Sequence, residues 1–125
     1  MEKILAAGDA AGLLMRRIGK SYQEHLLVLT LDVRQNLLGV DTVSVGTLDA
    51  NLVHPREVYI VAIRRHAASI IIAHNHPSGE LEPSENDVEV TKRLATAGKI
   101  LGISLDDHII VGRTGYLSLR EKNII

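Results

Sequence analysis

The run "SIIIAHNHPSGELEPSEND", residues 69–87, limits the possible folds more sharply than any other part of this 125-residue chain. Its opening, "SIIIA" (69–73), is too short for a helix and is apolar almost throughout. Such a run reads as a strand covered on both faces. The strand then stops at two histidines one residue apart, followed by prolines, a glycine and carboxylates. A buried strand that delivers two imidazoles to one place needs elements around it that cover the apolar part and expose the polar end.

The flanking segments supply those elements. Residues 9–19 combine an Asp cap, apolar positions 13, 14 and 18 and a closing Gly19, which predicts a short helix. "EHLLVLTLD" (24–32) and "LLGVDTVSVG" (37–46), separated by "VRQN", predict an antiparallel pair of strands. Residues 54–68 place Val58, Val61 and Ala62 on one stripe, with Pro55 in the first turn of a helix. From Ser84 the period becomes helical, with Val90, Leu94, Ala97 and Leu101 recurring along one line. "ISLDDHIIVG" (103–112) and "YLSL" (116–119) predict two further strands. Strands alternating with helices around one hairpin imply a single α/β domain with a mixed sheet flanked by helices.

Composition narrows the function. There is no Phe or Trp and only three Tyr, which argues against a surface that stacks bases. The net charge is −1 with both signs interspersed, so no basic stripe marks a nucleic-acid partner. Cysteine is absent, which removes disulfides, thiol nucleophiles and thiolate zinc sites. No stretch is long and apolar enough for a membrane span, and the N-terminus lacks the pattern of a signal peptide. The expectation is a soluble, cytoplasmic domain with no membrane partner.

His74 and His76 lie two apart on extended chain, so their side chains project to the same side. Pro77 reinforces that geometry by keeping His76 out of the α region. Counting back three from Val90 along the helix stripe reaches Asp87, an inward position in the first turn. Two histidines and one carboxylate form a nitrogen-and-oxygen donor set suited to a divalent metal, with a coordination position left open. Read alone, Ser84-x-x-Asp87 is also a helix capping box. Asn75, between the histidines, should point the other way in a structural role, and Gly79 supplies freedom at positive φ between strand and helix. His108 heads a strand that could end near the site, where it would serve as a hydrogen-bonded structural histidine or a neighbour of the ligands. His25, His54 and His66 have no comparable context.

The spacing H-x-H-x7-S-x2-D in "HNHPSGELEPSEND" resembles that of the JAMM (Jab/MPN-type) metalloprotease domains. The wider context, "REVYIVAIRRHAASIIIAHNHPSG", "PSENDVEVTKRL" and "LGISLDDHIIVG", is similar to the RadC family from roughly Glu24 to Ser118. The resemblance implies the MPN/JAMM architecture, which is like that of cytidine deaminases. It further implies one Zn²⁺ per chain, with His74, His76 and Asp87 as ligands and Ser84 beside the metal-bound water. It also calls for an upstream glutamate as general base. Glu24 stands at the matching place, a choice that spacing alone leaves open among Glu24, Glu80, Glu82 and Glu85. The implied reaction is hydrolysis of a peptide or isopeptide bond in a peptide or protein substrate. RadC-type proteins usually carry a helix-hairpin-helix region before this domain. Residues 1–20 would then be the remnant of a preceding region and residues 21–125 the metal-binding domain.

Rival readings differ in chemistry. Two histidines and a carboxylate also serve non-haem iron oxygenases, which usually sit on all-β barrels. A zinc nucleobase deaminase needs cysteine ligands that this chain lacks. A DNA-repair-associated or scaffolding module without hydrolytic activity would suit the historical label of RadC-like proteins. Its only basic cluster here, Arg64-Arg65-His66, is thin for phosphate binding.

Overall fold

A computed structural model describes residues 2–46 and 53–125. In chain order the elements are α1 (Ala7–Ile18), β1 (His25–Leu31), β2 (Leu37–Val45), α2 (Pro55–Arg64), β3 (Ser69–Asn75), α3 (Glu85–Leu101), β4 (Ser104–Val111) and β5 (Tyr116–Ser118). The strands form one sheet in the order β2-β1-β3-β4-β5. The β1–β2, β1–β3 and β4–β5 pairs are antiparallel and β3–β4 is parallel, so the sheet is mixed, as expected.

β3 occupies the centre, and all of its residues are buried. Alternation divides them between two apolar layers. Ile70 and Ile72 join Leu26 and Val28 of β1 against Val58 and Ala62 of α2 and Val90 and Leu94 of α3. Ile71 and Ala73 join Leu27, Leu29, Ile109 and Val111 against Ala10, Ala11 and Leu14 of α1. The helices therefore cover both faces, with α1 on one and α2 and α3 on the other. The even-numbered positions of β3 face α3, which takes His74 to the same side.

Three local readings are corrected. Asp9 is not the N-cap of α1; Ala6 is, and the Asp9 carboxylate at the third helical position accepts the amides of Leu5 and Ala6 at 3.0 and 3.1 Å. α2 ends at Arg64, short of residue 68, and buries Val58, Tyr59 and Ala62, with Val61 only half-buried. On α3 the buried line runs through Asp87, Val90, Thr91, Leu94 and Gly98, while Leu101 is exposed. A helix packed on a sheet buries a stripe about 100° wide, so it reaches positions beside the single row first drawn.

At Gly98 a close approach explains the residue. An added Cβ would overlap the Ile103 carbonyl and meet the Tyr59 hydroxyl at 2.5 Å. Tyr59 itself donates to the Leu94 carbonyl at 2.6 Å, and burial raises its phenol to about 12. Gly102 ends α3 with φ of 73°, the left-handed conformation that glycine adopts without steric cost.

The strand pairing contains one irregularity that matters for the site. Ile70 pairs with Leu105, but Ile71 pairs with Asp107, so Asp106 is an extra residue in β4. Such a bulge reverses the alternation beyond it. Leu105 and His108 thereby face the same layer, toward α3, although they are three positions apart. Asp107 turns away and accepts from Ser118 Oγ at 2.5 Å, its own neighbour His108 N at 2.7 Å and Arg120 N at 3.1 Å.

Candidate metal centre

Where β3 runs out, its α3-facing positions become polar. His74 is buried, and His76 follows on the same side of the extended chain, tied to β4 by the hydrogen bond its backbone amide donates to the Val111 carbonyl at 3.0 Å. The chain then turns through Gly79, whose φ is +88°, and enters α3 at Ser84. A reciprocal capping box fixes that entry. Ser84 Oγ accepts the Asp87 amide at 3.1 Å, and the Asp87 carboxylate accepts the Ser84 amide at 2.7 Å. The cap and the inward carboxylate are thus one structure: capping holds Asp87 where it faces the histidines.

The three side chains converge. His74 Nε2 lies 2.8 Å from His76 Nε2 and 3.0 Å from Asp87 Oδ1, and His76 Nε2 lies 3.2 Å from Asp87 Oδ2. Ligand atoms on a tetrahedral metal with bonds of ~2.0 Å stand about 3.3 Å apart, so this spacing needs only small adjustment. The three residues could hold a metal ion, and they form the one such group among the described residues.

Electrostatics match the crowding. Burial alone would raise the Asp87 carboxyl, but hydrogen bonds from His74 and His76, the charge of His74 and the Ser84 amide outweigh it and hold the group well below the usual carboxylate range. The hydrogen bond to Asp87 raises His76 above its ordinary value against the effect of burial, with the Glu80 carbonyl and the charges of Asp87 and Glu24 adding to the rise. His108 behaves oppositely. Complete burial, reinforced by the charge of His74, pushes it well below its ordinary value.

Comparison with known proteins places this geometry in context. A family model described as RadC-like JAB domain matches residues 4–124. The chain belongs to that family. Similar curated proteins are UPF0758 proteins from Clostridium novyi (48% identical over 122 residues), Rubrobacter xylanophilus (49% over 122) and Methanococcoides burtonii (46% over 123). The alignments cover 98% of this chain and 53–54% of each relative, so the chain spans about half the length of the curated relatives it matches.

The remaining candidate residues of this RadC-like JAB domain are placed as follows. Glu24 is half-buried, one residue before β1. Leu26 pairs with His74, and continuing that antiparallel register by two residues sets Glu24 across from His76. Glu80, Glu82 and Glu85 are exposed, whereas Glu24 is half-buried. Ser84 is exposed at the head of α3. As a cap its hydroxyl is an acceptor, which leaves its hydrogen to donate elsewhere.

Asn75 has a more definite role than its position between the histidines suggested. Its Oδ1 accepts the His25 amide at 2.8 Å, and its Nδ2 donates to the carbonyls of Gln23 at 2.9 Å and Ser21 at 3.4 Å. These bonds grip the chain on both sides of Glu24. The Glu24 carbonyl is held in turn by the Gly46 amide at 2.8 Å. His108 lies beside the cluster, with Nε2 2.7 Å from His74 Nδ1. Thr91, absent from the sequence reading, lies behind it at 2.6 Å from His108 Nδ1. Of the histidines without context, His25 bonds Ser21 Oγ at 2.9 Å, away from the cluster's own bonds. In the basic cluster, Arg65 is engaged with Asp41 at 3.0 Å. Among the described residues no helix is long and apolar enough to cross a membrane.

Proposed function

We propose that this domain is a zinc-dependent hydrolase of peptide or isopeptide bonds, with Glu24 as general base and Ser84 as an oxyanion donor. The observation that carries this reading is the convergence of two imidazole Nε2 atoms and a carboxylate within 2.8–3.2 Å at the open end of a buried strand. The donor set contains no thiolate and suits zinc, and family membership favours zinc over iron. Zinc held there would act as a Lewis acid toward a carbonyl oxygen and lower the pKa of a water toward ~7.

The chain's own groups do the remaining work. The Glu24 carboxylate takes a proton from the attacking water as the new carbon–oxygen bond forms. It returns that proton to the leaving nitrogen as the carbon–nitrogen bond breaks, so the carboxylate ends as it began. Ser84 Oγ donates its hydrogen to the oxygen on which negative charge develops. The Asn75 grip on residues 21–25 supports this assignment, because a base needs a fixed position and its backbone is clamped on both sides.

The test compares wild type with Glu24→Gln on a library of fluorogenic peptides and isopeptide-linked conjugates. The variant keeps the shape and removes the base, so zinc content should stay at one per chain while hydrolysis is lost. A loss of zinc as large as that in Asp87→Ala would make Glu24 a ligand and end its role as base.

A further inference from the structure

The polar contacts behind His74 form a chain in which every proton can be assigned from its neighbour. It starts at Thr91 on α3. Thr91 Oγ1 lies 2.7 Å from the Asp87 carbonyl oxygen, and a carbonyl has no hydrogen, so the hydroxyl proton must lie between them. With its hydrogen committed, Thr91 Oγ1 can only accept at its second contact, His108 Nδ1 at 2.6 Å. His108 Nδ1 therefore carries a hydrogen. In a neutral imidazole the other nitrogen is then bare, so His108 Nε2 accepts from His74 Nδ1 at 2.7 Å. His74 Nδ1 thereby carries a hydrogen, and Nε2, facing Asp87 and His76, is the nitrogen whose lone pair a bound cation would use. The second histidine is set more simply: His76 Nδ1 donates to the Glu80 carbonyl at 2.6 Å, which makes its Nε2 the nitrogen facing the site.

We propose that Thr91 and His108 are positioning residues for the metal: the Thr91 hydroxyl orients His108, and His108 holds His74 in the one tautomer whose Nε2 lone pair can bind a cation. The proposal rests on the metal-site reading above. Removing the hydroxyl would free His108 Nδ1 from its acceptor. His108 could then place its proton on Nε2 and turn His74 round, directing an N–H rather than a lone pair at the site. Partners of this kind typically change metal affinity 10- to 100-fold. Thr91 touches no ligating atom, since its bond to Asp87 is to the backbone carbonyl, so its effect on the imidazoles would run through His108.

The experiment measures zinc affinity by competition with a chelator for wild type, Thr91→Val and Thr91→Ser, with circular dichroism confirming folding. Valine keeps the shape and loses the hydroxyl; serine keeps the hydroxyl and loses a methyl. Proton placement predicts affinity weakened roughly 10- to 100-fold in Thr91→Val and close to wild type in Thr91→Ser. Equal affinity in Thr91→Val and wild type would overturn it, as would a loss in Thr91→Ser matching that in Thr91→Val, which would mean packing. Long-range ¹⁵N–¹H spectra of the imidazoles in metal-free wild type give a second readout that needs no variant. His74 protonated on Nδ1 and His108 on Nδ1 support the assignment, and His108 protonated on Nε2 overturns it. If wild type failed to bind zinc while these tautomers were observed, the metal reading would fall and the proton wiring would stand.

Discussion

In its second half α3 meets its neighbours through Leu94 and Gly98, whereas in its first two turns the same helix buries the polar Asp87 and Thr91 beside Val90. The apolar half works by filled volume. Leu94 is fully buried among side chains of α2 and the sheet, and Gly98 admits the Tyr59 ring at close range. Such contacts have no direction, and losing one leaves a gap of predictable cost. In the polar half each hydrogen has one destination, from Thr91 through His108 to His74. A change there redirects protons along the row instead of leaving a hole. One helix thus carries a part held by packing and a part held by hydrogen bonds.

The largest effect expected from breaking that comparison is in the apolar half. Leu94→Ala should cost about 2–5 kcal/mol in denaturant unfolding, while folded protein still takes up one zinc. A loss of zinc binding in protein shown to be folded would mean that the two halves are coupled through packing.

Much of this arrangement was readable from the chain, for definable reasons. His74 and His76 followed from an extended H-x-H held by Pro77, and Asp87 from counting back along the helix. These are local regularities of period two and 3.6. Glu24 was not decidable by spacing, because its relation to His76 comes from the β1–β3 register, set by residues far apart in sequence. His108 required the bulge at Asp106, which reverses which residues of β4 face α3 and leaves no mark in the polar–apolar pattern. Thr91 was passed over because a threonine within a helix reads equally well as a solvent-facing residue.

A smaller effect separates capping from chemistry at Ser84. Ser84→Ala should cost about 1 kcal/mol of stability through loss of the cap, and should lower turnover about 10²-fold if the hydroxyl donates to the oxyanion. Ser84→Asp keeps the cap but cannot donate when ionised, so it should fold like wild type and hydrolyse poorly. Normal turnover in Ser84→Asp would leave Ser84 as a helix cap alone.

The gentlest test is pH. In chelator-treated protein, the raised His76 contributes stability that is complete below its ordinary value of 6.5 and is lost as the pH climbs through its folded value. The depressed Asp87 contributes stability present above its ordinary value of 3.8 and lost as pH falls toward its folded value. Metal-free protein should therefore gain most from this pair between those two values and weaken on the alkaline side. Zinc affinity should run the other way, rising with pH as His76 gives up its proton. Urea midpoints across pH, with and without zinc, would show whether the trends cross as described.

The account stands on the claim that two imidazoles and one carboxylate hold a single zinc ion. X-ray absorption at the zinc edge of the reconstituted protein tests it most directly. The predicted result is one zinc per chain in a first shell of nitrogen and oxygen at ~2.0–2.2 Å, with the outer-shell signature of two imidazoles, falling to one in His76→Ala. A shell without imidazole, or one that keeps both imidazoles in His76→Ala, would contradict it.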